Sequence, residues 1–403
     1  MRSAVRHSWA LFVGIALIML GNGLQTSLLG LRATMEGFAT GATGAIMSAF
    51  YIGFLAGSTL TPKIVKNVGH IRVFAAWSSM ASAAILLHGL IVEPWFWGAM
   101  RFVTGFCYAG VYVVAESWLN DRADNKSRGQ LLSLYMVVQY IGLSGGQLLL
   151  NVGSPGELVL FVLTSVLISL ALVPISLTTS APQPTEEQER LSPRALWKLS
   201  PLGVMACAGA GLSIGALLGM GAVFGEEVGL SVGEISIFMA MLIAGAAILQ
   251  FPIGRLSDRF ARRWVMVLTS ALSVGVSLLA WMMMGQSATL TLGLIFLVGG
   301  FSMPVYALGM AHANDHLRPG QRVAASSTLV LVFGLGASLG PVGVAALMDV
   351  LGPGGFYVGV AAIQAAIGIF AMYRTTRREG VGAENQRPYR PVVGGRPFWR
   401  RRT

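Results

Sequence analysis

Twelve apolar stretches separated by short polar connections make up most of the 403 residues. They run near 8–30, 41–62, 73–92, 96–118, 131–152 and 158–177, then near 201–224, 234–254, 264–284, 288–310, 323–347 and 355–373. Each approaches the roughly 20 apolar residues that a helix needs to cross the hydrocarbon of a bilayer. The pattern therefore predicts an all-α membrane protein with twelve transmembrane helices. The polar positions are divided unevenly between the two sets of connections. Of 28 Lys and Arg residues, 26 fall on alternate connections and the two ends, Arg32 falls on the opposite set, and Arg101 lies inside a span. The acids Glu36, Glu93, Glu157, Glu226, Glu227, Glu234 and Asp349 share the side of Arg32. Basic connections are retained on the cytoplasmic side during insertion, so both termini are expected there.

Residues 178–200 break the pattern with Pro182, Pro184 and Pro193, the acids Glu186, Glu187 and Glu189, and then Arg190, Arg194 and Lys198. This reads as a cytoplasmic linker between a six-helix bundle at 1–177 and another at 201–373. The Arg- and Pro-rich stretch 374–403 is expected to be a basic, disordered cytoplasmic tail. The halves also echo each other. Pro62-Lys63-Ile64-Val65-Lys66-Asn67-Val68-Gly69 follows the second span, and Gly254-Arg255-Leu256-Ser257-Asp258-Arg259-Phe260-Ala261 follows the eighth, 192 positions later. A repeat of six spans in one orientation implies a pseudo-two-fold axis along the membrane normal, with a cavity between the halves.

Composition narrows the function classes. Charged residues are 11% of the chain, against roughly 25% in a soluble domain, too few to cover a water-facing surface. Twelve helices of roughly 20 residues leave enough chain for loops, one linker and a tail, but not for a separate soluble enzyme domain. The net charge of +11 is concentrated in juxtamembrane loops and the last thirty positions. Anionic lipid at the cytoplasmic face, rather than nucleic acid, is the expected counter-charge. Cys107 and Cys207 both sit in apolar spans without a CxxC spacing and read as packing residues. No G-x-x-x-x-G-K-[ST] phosphate loop occurs, and no cofactor is expected. The run after Arg2 and Arg6 is too long for a signal-peptide core and reads as a retained first helix.

Gly254-Arg255-Leu256-Ser257-Asp258-Arg259 followed by Arg262-Arg263 resembles the loop signature of the major facilitator superfamily, with a degenerate copy at 62–72. Arg101-Phe102-Val103-Thr104-Gly105 is similar to that family's fourth-helix motif. More narrowly, Val113-Val114-Ala115-Glu116-Ser117, Arg128-Gly129-Gln130-Leu131-Leu132 and Pro252-Ile253-Gly254-Arg255-Leu256 resemble the YcaD-like branch of bacterial permeases. The resemblance implies the major facilitator fold of two pseudo-symmetric six-helix bundles, in the bacterial cytoplasmic (inner) membrane. It also implies secondary transport by rocker-switch alternating access. Two departures matter. Lys66 stands where the family usually has Asp, and the fifth span has Gly142, Gly145 and Gly146 without the Gly-Pro of the family's antiporter signature.

Charge within hydrocarbon is costly, so each such residue is a functional candidate. Arg101, Gly105, Tyr108, Tyr112 and Glu116 form one stripe on the fourth span. Arg101 lies about 10 Å outside the span centre and Glu116 about 12 Å toward the cytoplasm. Asn22 and Gln25 of the first span share the depth of Arg101. Arg101 either receives an anionic group or biases a nearby protonation, or is held by first-helix amides and carbonyls. Glu116 is the lone carboxylate in any span: a proton carrier, or a salt bridge to Arg128, Arg122 or Lys66 that closes an inner gate. Tyr108, Tyr112, Tyr135, Gln139, Tyr140, Tyr306 and Gln364 near mid-depth suit a pocket for a neutral or amphipathic organic solute, or interhelical hydrogen bonding. Arg255, Asp258, Arg259 and Arg263 are the candidate latch charges of the second half, with Asp258 placed to cap a helix N-terminus. His312 and His316 stand four apart with Asp315 the one evident third ligand, and no metal is expected. His88 reads as a packed core residue.

These readings converge on a monomeric, non-enzymatic secondary transporter of a small organic solute, with protons a candidate co-substrate. A uniporter, or a non-transporting membrane sensor built on a transporter fold, is the alternative.

Overall fold

The computed structural model describes residues 2–122, 128–177, 192–317 and 321–377, without the side chains at 2–8, 120–122, 128–130, 132–133, 322–324 and 377. Among them every regular element is helical. The first half holds α1 (Arg2–Met35), α2 (Thr40–Val68), α3 (His70–Leu90), α4 (Pro94–Arg122), α5 (Arg128–Leu148) with a 3-10 turn at Leu149–Val152, α6 (Val159–Leu170) and α7 (Leu172–Ser176). A short α8 (Pro193–Leu199) precedes the second half: α9 (Pro201–Glu227), α10 (Val232–Arg259), α11 (Arg262–Met282), α12 (Ala288–Ser302), α13 (Val305–Asp315), α14 (Arg322–Leu351) and α15 (Gly355–Arg377). Eleven helical stretches are long and apolar enough to cross a membrane. The fifth expected crossing, the 21-residue α5, stands outside that set.

The helices overrun the apolar spans, because backbone hydrogen bonding continues into the polar residues at each end. Two expected helices are broken instead. Pro174 has no N–H for the carbonyl of Leu170, and the sixth crossing parts into α6 and α7 beside it. Pro304 likewise separates α12 from α13. Within the expected linker, Ser192 accepts a hydrogen bond from the Ala195 amide at 3.2 Å, and Pro193 occupies the first turn, which together start α8. Residues 374–377, expected in the tail, prolong α15. The rest of the linker and tail lies outside the described residues. At α10, Ser231 and Glu234 form a reciprocal capping box, the S-x-x-E signature of a helix start. Gly69 alone joins α2 to α3 with φ 92°, a conformation that side chains with a Cβ rarely adopt.

The repeat is visible in how the helices touch. A Cβ on Gly105 of α4 would collide with the Phe50 carbonyl of α2, and one on Gly299 of α12 with the Leu242 carbonyl of α10. Gly146 of α5 meets the Leu20 carbonyl of α1 in the same way, and Gly340 of α14 meets that of Leu212 in α9. The glycines in each comparison are 194 positions apart, and the carbonyls they meet are 192 apart. Small residues thus bring the backbones together in membrane helices, where lipid offers no hydrophobic gain for association. The buried core of the first half is continuous through Ile15, Phe74, Tyr108 and Phe161. That of the second half divides into three clusters, and Leu31 of α1 enters the one around Phe224 and Phe238.

Candidate functional site

The halves meet at the end of the bundle that carries the acids. Gly30 of α1 faces Ala222 and Val223 of α9, and Gly44 of α2 faces Ala345 and the Pro341 backbone of α14. Thr40 Oγ1 donates to Glu227 Oε1 at 3.3 Å, and Asn151 Nδ2 to Ser236 Oγ at 2.7 Å. Deeper in, the Tyr140 hydroxyl donates to Gln250 Oε1 at 3.0 Å, so this residue ties α5 to α10 across the interface. Arg32, the basic residue on the acidic side, is neutralised where it stands: Nη2 lies 2.5 Å from Glu36 Oε1, and Nη1 donates to the Pro155 carbonyl.

Arg101 sits beneath this seam, 2% exposed. Its guanidinium lies 4.5 Å over the Phe50 ring, and Nη2 stands 3.7 Å from Met47 Sδ. Nε and Nη1 have no hydrogen-bond partner among the described residues. The expectation that first-helix amides and carbonyls hold this charge is replaced by an aromatic face and a thioether, both from α2. Apolar Met47 and Phe50 gave no signal of that role in the sequence. Gln25 is fully buried with both amide atoms unpartnered. Asn22 Nδ2 donates to the Tyr112 hydroxyl at 3.4 Å, while its Oδ1 has no partner. The Tyr112 hydroxyl in turn donates to Met19 Sδ, and its ring packs 5.7 Å from that of Phe54. Tyr108 is buried with an unpartnered hydroxyl, its ring 6.0 Å from Phe50.

On the remaining walls, Gln139 is half-buried on α5. Tyr306 is half-buried on α13 with its ring 4.7 Å from Phe333. Gln364 is spent inside the second half, where Nε2 donates to Ser213 Oγ at 3.0 Å and to the Ser302 carbonyl. At the basic end, Glu116 is exposed and makes no ion pair among the described residues. Lys66 is exposed and not joined to it, and the side chains of Arg122 and Arg128 lie outside the described residues.

In the second half Arg255, Asp258 and Arg259 are exposed, and Arg263 is buried with Nη1 donating to the Arg374 carbonyl at 3.3 Å. Arg262, quoted in the loop signature but given no role of its own, is also turned inward. It is 1% exposed, with Nε 3.0 Å from Asp315 Oδ2 on α13 and Nη2 3.9 Å from Asp258 Oδ1. Four basic residues fall between 255 and 263, and nothing in their spacing marks which of them turn inward. Asp258 thus serves Arg262 at the start of α11. Gln250, a lone amide in an apolar run, carried a readable signal that was missed. His316 Nδ1 is tied to the His312 carbonyl at 2.8 Å, and His88 Nδ1 to that of Ala84 at 2.8 Å, packed against Trp97.

The model of the Major Facilitator Superfamily matches residues 11–225 and 202–402. The uncharacterized MFS-type transporter YcaD of Escherichia coli strain 536 is 31% identical over 351 residues, covering 87% of this chain and 91% of that protein. YcaD of Shigella flexneri gives the same identity and coverage. Among solved structures, the nucleoside transporter NupG superposes with TM-score 0.75 at 13% identity, over 92% of this chain and 100% of that one. A bacterial homolog to the human lysosomal transporter Spinster, in an inward-facing and occupied conformation, gives 0.74 at 17% identity over 96% and 98%. At such identities these two likenesses show the fold alone.

Proposed function

We propose, because this chain belongs to the major facilitator superfamily, that it moves a small organic solute across the cytoplasmic membrane by alternating access. One half rocks against the other around a site lined by Tyr108, Tyr112, Gln139 and Tyr306, while Asn22, Gln25 and Arg101 form its end beneath the seam. The observation that carries this reading is an asymmetry between the two ends. At the acidic end the halves are in van der Waals contact and hydrogen-bonded, whereas at the basic end Glu116 stands exposed and without an ion pair among the described residues. With the basic end cytoplasmic, this is a conformation closed to the outside. Amphipathic aromatic rings with polar tips suit an amphipathic solute.

Glu116 acts at the cytoplasmic mouth, pairing with Lys66 or Arg128 when that mouth closes. Arg262, Asp315 and Asp258 hold the second-half latch together from within. Protons remain a candidate driving ion through Glu116, and uniport is the competing reading. The test is a thermal-shift screen of the purified full chain against metabolites and amphipathic drugs, followed by counter-flow in proteoliposomes. A ligand at 100 times its Kd stabilises by about 2.7 kcal/mol, so a true solute is detectable. Binding without counter-flow of any hit marks a sensor instead of a carrier.

A further inference from the structure

Arg101 presents a physical problem. A cation is enclosed in the membrane part of the protein with no acid against it, and two of its N–H-bearing nitrogens have no acceptor. Such a charge is strongly unfavourable unless something compensates it. The Phe50 face compensates in part, and the Met47 sulfur is a weak acceptor. Met47 is also part of the seam. It is fully buried, and its side chain packs on Gly30 of α1 and, across the interface, on Gly219 of α9, which in turn meets Pro341 of α14. One wall of the Arg101 enclosure, Met47, is therefore a residue of the seam, and parting the halves at the acidic end would free that wall from Gly219. Tyr108, whose ring packs 6.0 Å from the Phe50 ring that Arg101 lies over, also has an unpartnered hydroxyl. An anionic oxygen is the group that satisfies both.

We infer that the transported solute carries an anionic group, such as a carboxylate, which Arg101 receives while the acidic end is open, and that this anion favours closing of the seam. The inference deepens the transport reading of the same site and rests on it. An empty carrier must bury a bare cation in order to close. A loaded one buries a neutral pair with its hydrogen bonds made. The solute's differential affinity for the two states is then what drives the change. Charge recognition and closure are one event, carried by a residue that touches both the solute and the seam.

The test uses spin labels at Leu158→Cys and Val350→Cys, exposed positions on opposite halves at the acidic end, in full-length protein with Cys107 and Cys207 replaced by Ala. Distances are measured alone, with acetate, benzoate or succinate, and with the matching neutral amides. In the otherwise unsubstituted protein at least one carboxylate, and no amide, raises the closed-to-open ratio by about tenfold, within the usual range of coupling between sites. Arg101→Gln removes the buried charge, so it rests closed without ligand and responds to nothing, whereas Arg101→Lys keeps the carboxylate response. The inference is overturned if Arg101→Gln and the parent share one ligand-free distribution, if no carboxylate acts, or if amides act equally. Counter-flow of neutral solutes alone would sink this charge assignment and leave transport standing. A carboxylate response without any flux would do the reverse.

Discussion

Arg101 and Glu116 lie on one face of α4 and meet opposite fates. Arg101 is enclosed under a seam that the two halves build together, and Glu116 is left open at the other end. Their separation along the helix, fifteen residues or about 22 Å at 1.5 Å per residue, rules out direct pairing. Each must therefore find partners in other elements, and which ones depends on conformation. For Glu116 the partners proposed at the closed mouth are Lys66 and Arg128, in a solvent-accessible setting where an ion pair is worth about 1 kcal/mol at most. Glu116→Gln should therefore lower the closed population of the basic end by about fivefold, read as a lengthening of inter-half distances there, with the pH profile of flux unchanged. A pH-dependent parent whose profile flattens in the variant would make Glu116 the proton carrier instead. Arg262 differs because both it and Asp315 are nearly inaccessible. Removing one partner strands the other, which is costly for stability and not only for gating.

Helix pairs within each half are joined by backbone contact, not by large interlocking side chains. Gly105 against Phe50 and Gly299 against Leu242 are equivalent points of the repeat. Any side chain there must push α4 from α2, or α12 from α10. Gly105→Val and Gly299→Val should each destabilise by about 1–3 kcal/mol, the usual cost of overpacking a tight core, seen as a lower midpoint of thermal unfolding in detergent. Variants that unfold at the parent's midpoint would mean that the helices part freely there. The breaks at Pro174 and Pro304 also belong to this scale. Missing N–H groups interrupt two crossings that hydropathy reads as continuous, because an apolar proline leaves the hydropathy profile intact.

For the whole molecule, the seam at the acidic end is the element whose opening alternating access requires. It is made of small residues and a few hydrogen bonds, none of the ones named an ion pair, so these contacts can part without stranding a buried pair of charges. Asn151 and Ser236 face each other across it at hydrogen-bonding distance. Asn151→Cys with Ser236→Cys, oxidised to a disulfide, should hold the seam shut and abolish counter-flow, and a reductant should restore it. Full flux through the oxidised protein would show that this end does not need to open.

The apolar spans, the placement of basic residues and the 192-residue echo determined a membrane class and a doubled helical plan by themselves, and the loop and fourth-helix motifs carried the resemblance to the family. These are properties of segments, set by the bilayer thickness and by the cost of moving charge across it, and they do not depend on which helix neighbours which. The same holds for Arg101 and Glu116 as exceptions, since charge in an apolar run needs no structure to be noticed. What only the tertiary structure decided is pairing. Arg262, not its three basic neighbours, turns toward Asp315 on a distant helix. Gln364 is absorbed into the packing of its own half, Tyr140 finds Gln250 across the interface, and Arg101 lies against Phe50 and Met47 of α2. The physical reason is that helical spacing gives the face and depth of a side chain, whereas its partner is chosen by how separate helices rotate and pack.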